Sequence, residues 1–99
     1  MPVATFLAKA DALEKKGPMA LFSRDLKLLK AEIVASGKAL RHEIEAARRA
    51  GRRPQACLPE KAQTDSKELI AYLRSLAPAQ RSMPIKSAFA GLMAKKYPC

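Results

Sequence analysis

FSRDLKLLKAEIVASGKALRHEIEAARRAG, residues 22–51, is the stretch that decides the fold. Phe22, Leu26, Leu29, Ile33, Leu40, Ile44 and Ala47 recur at helical intervals and form one apolar stripe. Ser23 stands where a hydroxyl can cap a first turn, and Asp25 follows where the helix dipole favours an anion. Nothing stops the pattern before Gly51, so the spacing predicts a helix of roughly 27 residues, about 40 Å long. That is long for a chain of 99 residues. An end projecting beyond the core would need a partner, which makes a homodimer one expectation. Gly37 lies on the same stripe at a cost of up to about 1 kcal/mol relative to Ala. It marks either a close helix crossing or a bend.

The flanking sequence is helical too. Val3, Phe6, Leu7, Ala10 and Leu13 form a stripe that Pro2 can open and Gly17-Pro18 stops. After the polar linker Arg52-Arg53-Pro54-Gln55, Asp65 and Glu68 have the spacing of a capping box. Leu69, Ile70, Leu73 and Leu76 give that third helix its face, and Pro78 follows its end. Pro84 suits the start of a last helix with face Ile85, Ala88, Phe89, Leu92 and Met93. No alternating strand pattern, fixed repeat or low-complexity run is present. The expected fold is all-α, a small bundle of about four helices with one long helix. It forms a single domain over residues 1–99: residues 1–56 carry the long helix, and residues 57–99 hold a helical pair.

Charge narrows the function classes. Nineteen Lys and Arg face nine Asp and Glu, a net charge of +10, spread as twelve cations to six acids in residues 1–56 and seven to three in residues 57–99. Such basicity suits nucleic acid, anionic lipid or an acidic protein without choosing among them. No apolar run approaches the ~18–20 residues of a membrane span. The densest basic cluster is Arg48, Arg49, Arg52 and Arg53, at the end of the long helix. It reads either as cations placed favourably at a helix C-terminus or as a contact for an acidic partner. No aromatic side chains interleave with it for base stacking and no helix-turn-helix is visible, which argues against nucleic acid.

Two readings are open for Cys57 and Cys99. They are separate buried thiols, or they form a disulfide tying the end of the last helix to the start of the third. A terminal residue frays unless it is tied down, which favours the bond. Closing that 42-residue loop would be worth roughly 4 kcal/mol in loop-closure entropy. Two Cys and one distant His cannot supply four zinc ligands, so no metal is expected. His42, the sole histidine, falls off the stripe and reads as a solvated side chain. No paired carboxylates in an apolar setting, phosphate-binding Gly loop or G-x-S-x-G elbow is present. A non-enzyme without cofactors is expected.

The second half also has a recognisable pattern. Cys57-Leu58-Pro59-Glu60, a helix carrying Tyr72-Leu73, then Ala88-Phe89 to Leu92 and a final Tyr97-Pro98-Cys99 resemble the amidase-immunity proteins of type VI secretion, the Rap/Tai type. The resemblance covers residues 57–99, and only Cys57 and Cys99 carry over, in a structural role. It implies a small helical periplasmic protein that neutralises a secreted peptidoglycan amidase by binding it, often as a homodimer. Residues 1–56 depart from that pattern, with no Cys and no Tyr. The expectation is thus an exported protein acting by stoichiometric protein binding, its signal peptide removed ahead of Met1. Free thiols would place it in the cytoplasm instead. The alternatives are a periplasmic acid-stress or holdase-type chaperone and a basic nucleic-acid-binding protein.

Overall fold

A computed structural model describes residues 1–60 and 64–99. Among these residues are four α-helices, α1 (Val3–Lys16), α2 (Arg24–Arg49), α3 (Ser66–Ser75) and α4 (Ile85–Lys96). Two 3₁₀ segments, Gly17–Phe22 and Pro78–Ser82, join α1 to α2 and α3 to α4. Among the described residues there are no strands, only an isolated bridge between Pro2 and Pro84. The fold is a small all-α bundle closed by one disulfide, Cys57–Cys99.

Each boundary has a local cause. The Ser23 hydroxyl accepts from the Asp25 backbone N–H at 3.2 Å, so α2 begins at Arg24. At its other end Gly51 takes φ +71°, the Gly51 N–H donates to the Arg48 carbonyl and the Arg52 N–H to the Ala47 carbonyl. That is a Schellman ending, which leaves the chain no helical continuation. Asp65 caps α3 through the Glu68 N–H at 2.7 Å. The last carbonyls of α3 receive Arg81, whose guanidinium reaches the Arg74 and Leu76 oxygens at 3.0 and 3.3 Å.

α4 is the centre of the molecule. Ile85, Ala88, Phe89, Ala90, Leu92 and Met93 are all buried, an apolar surface too wide for one stripe. α2 crosses it closely where α2 is smallest, at buried Ser36 and at Gly37. A Cβ on Gly37 would meet the Phe89 ring at 3.9 Å, ordinary contact, so the glycine lies against α4 with room for a methyl group. Gly37→Ala should therefore raise stability by up to about 1 kcal/mol through helix propensity. Gly51→Ala should lower it by about 1 kcal/mol or more, because φ is positive there. Paired thermal melts of the two variants check both signs.

α1 buries Val3, Phe6, Leu7, Ala10 and Leu13, all five stripe residues. The Val3 N–H donates to the Met83 carbonyl and the Ile85 N–H to the Met1 carbonyl, pinning the start of α1 beside the start of α4. In α2 the stripe holds for Leu29, Leu40, Ile44 and Ala47 and fails elsewhere. Phe22, expected on the buried face, is 83 % exposed. The helix starts only after the Ser23 cap, so Phe22 belongs to the 3₁₀ turn and loses the helical phase that would have aimed it inward. Leu26 and Ile33 are half-buried rather than core. The length of α2 stretches the molecule to 47 × 28 × 19 Å.

Candidate interaction surface

The disulfide lies at the surface, both cysteines exposed. It holds the segment leading into α3 against the end of α4, where the Cys57 N–H also donates to the Tyr97 carbonyl at 2.9 Å. The two-buried-thiols reading therefore does not describe this pair. His42 is exposed on α2. Among the described residues no three His, Cys, Asp or Glu side chains gather as a metal site.

Arg48, Arg49, Arg52 and Arg53 are all exposed around the Schellman turn. Arg49 reaches Glu45 at 3.9 Å with both side chains largely solvated, a contact worth little. The other three have no carboxylate partner among the described residues, so the cluster is a solvated positive end of α2. Arg52 and Arg53 flank only a shallow depression beside Glu43 and Gln55.

Most acids elsewhere are paired. Arg74 bridges Asp11 at 2.7 Å and Glu14 at 3.3 Å, Lys9 pairs with Asp25 at 3.3 Å, and Lys96 with Glu68 at 2.9 Å. Lys86 meets Glu43, and the amino group of Met1 lies 3.9 Å from Glu32. The Lys96 ammonium, then the Thr64 hydroxyl, hold the Glu68 carboxyl below its usual range. The hydrogen bond to Asp11 raises the Arg74 guanidinium. These exposed pairs set how α1, α3 and α4 sit together more than they stabilise them. The charge they leave unpaired is almost all positive.

A groove of about 510 Å³ lies between α1, α2 and α3. Phe6, Leu29 and Leu69 form its buried floor, and partly buried Leu26, Ile33 and Ile70 form its apolar flanks. Lys30 and Lys67 stand at its edge, exposed and without a carboxylate partner among the described residues, while Glu14 and Arg74 there are paired to each other. Its volume is that of a ligand or side-chain anchor site. Sequence reading missed it because Leu26 and Ile33 keep perfect stripe phase. The groove is open because α3 packs on α1 and α4 and hardly reaches α2, a tertiary fact.

A second feature is the α1–α2 corner. Met19, Leu21 and Phe22 are 67, 73 and 83 % exposed. They come from a 3₁₀ segment with three residues per turn, so Ala20 packs on the core while Met19, Phe22 and Leu21 face outward. The signal for it was an apolar run straight after Gly17-Pro18, with no helical phase to place it.

In comparisons with known proteins, the chain matches no family model, no curated protein and no solved structure. No helix among the described residues is long and apolar enough to cross a membrane.

Proposed function

We propose that this protein is an exported helical module that acts by stoichiometric binding of a protein partner, whose amphipathic segment seats in the groove between α1, α2 and α3. The observation that carries this reading is the groove itself. Leu26, Ile33 and Ile70 leave apolar surface uncovered on one side of the bundle, where a partner helix could bury it. Lys30 and Lys67 at the edge favour a partner with acidic residues flanking its apolar anchors. A disulfide suits an oxidising compartment such as the periplasm. The resemblance of residues 57–99 to the Rap/Tai type makes a secreted peptidoglycan amidase the proposed partner and immunity the proposed role. Arg48, Arg49, Arg52 and Arg53, roughly 20 Å along α2 from Ile33, would steer encounter rather than touch the anchor.

Ile33→Asp separates binding from folding. Ile33 is partly buried against the core, so the variant should lose some stability, read from its melt, while an aspartate in the apolar groove abolishes capture under conditions where the helices stay folded. Titrating a peptidoglycan amidase encoded beside this chain should show inhibition complete at one equivalent with wild type and absent with Ile33→Asp. An amidase equally inhibited by both forms removes the groove from the reading; one bound by neither removes the immunity role.

A further inference from the structure

We propose that the α1–α2 corner is a docking site for an anionic bilayer surface, with Met19, Leu21 and Phe22 inserting among the lipids and Lys15, Lys16, Arg24 and Lys27 on the headgroups. The 3₁₀ segment Gly17–Phe22 packs against the two helices it joins, and only Ala20 turns inward. Three large apolar side chains are thus left exposed at one turn of the molecule. Isolated exposed apolar residues are ordinary, but three within four positions are a patch.

The surroundings name the occupant. Lys15 and Lys16 end α1, Arg24 begins α2 and Lys27 follows one turn later; all four are exposed, and none has an acidic partner among the described residues. The acids close by are committed, Asp25 to Lys9 and Glu14 to Arg74. An apolar turn flanked on both sides in sequence by exposed cations without acidic partners among the described residues fits a surface that is apolar beneath and negative on top. Side chains of this kind need to sink only about 5–10 Å to reach the acyl boundary. Each cation near an anionic leaflet adds roughly fivefold to partitioning. A stable protein contact would instead ask for about 800 Å² of complementary surface on this side, and a six-residue turn presents far less. This docking is independent of the groove and needs no protein partner.

Vesicle flotation tests it, with phosphatidylcholine alone or with about 30 % phosphatidylglycerol. Wild type should float with the anionic vesicles and not with the neutral ones. Leu21→Ser/Phe22→Ser should weaken that partitioning about tenfold or more, because the insertion is lost while the charge is unchanged. Replacing Lys15, Lys16, Arg24 and Lys27 with Gln should do the same. Replacing Arg48, Arg49, Arg52 and Arg53 with Gln, the same charge removed from the other end of α2, should leave most of it. The chain has no Trp, so Phe22→Trp supplies a single reporter whose emission should move to the blue only with anionic vesicles. All these positions are exposed, so the variants should melt close to wild type. Equal losses in the two charge-removal variants would mean that net charge alone drives partitioning, and would overturn the site. So would serine variants that float like wild type, or corner variants that lose the amidase but keep the vesicles.

Discussion

Cys99→Ser should lower the unfolding free energy by about 2–4 kcal/mol, a large fraction of the roughly 5–15 kcal/mol expected for a chain of 99 residues. The disulfide closes a loop of 42 residues, and opening it returns that conformational freedom to the unfolded chain. Residues 97–99 lie beyond α4, where the Cys57 N–H donates to the Tyr97 carbonyl, Cys99 Sγ lies 3.9 Å from the Pro54 carbonyl and Tyr97 packs against the core. Because both cysteines are exposed, a reductant should reach the bond in the folded protein and shift the denaturant midpoint as far as the substitution does. Cys57→Ser/Cys99→Ser should be no less stable than either single variant, since all three remove the same bond. Equal midpoints with and without reductant, on protein purified oxidised, would show that the crosslink contributes nothing. α3 supplies one wall of the groove and begins nine residues after Cys57, so the same variants should also weaken partner capture.

The elements were legible in the sequence because their signals were local. Ser23, Asp65 and Gly51 each act on backbone groups within a few residues, and caps of that range can be read without knowing the fold. The α1 stripe was legible for another reason: α1 packs against α2, α3 and α4, so its whole apolar face is covered. Leu26 and Ile33 carry the same signal as Leu40 and Ile44, yet they end only partly buried. Periodicity says which side of a helix wants cover; it does not say how far the neighbouring helix extends. α3 packs on α1 and α4 and hardly reaches α2, and that is a tertiary fact. Phe22 shows the complementary failure. Its spacing from Leu26 was helical, but a cap between them reset the phase. The groove and the corner, the two surfaces on which binding is proposed here, both arise where a correct local signal meets missing cover.

Leu40→Ala should cost about 3–5 kcal/mol and bring the domain close to unfolding at 37 °C. Leu40 is 1 % exposed and sits one turn beyond Gly37, on the side of α2 that crosses α4. Leu40 belongs to the core cluster, packed among side chains from the other helices, so the space its truncation leaves is hemmed in on several sides. A cavity that cannot collapse takes the upper part of the range. Leu28 on the same helix supplies the contrast. It is 43 % exposed on the outer face, and Leu28→Ala should change stability by no more than about 0.5 kcal/mol. Helicity favours Ala over Leu only slightly, so propensity cannot produce the difference between the two positions. Urea melts of both variants with the disulfide intact provide the measurement. Equal losses at Leu28 and Leu40 would mean that α2 is covered on both sides, which two copies packed along their outer faces could produce. Sedimentation of the Leu28→Ala variant beside wild type would then show whether that cover is a second copy of the chain.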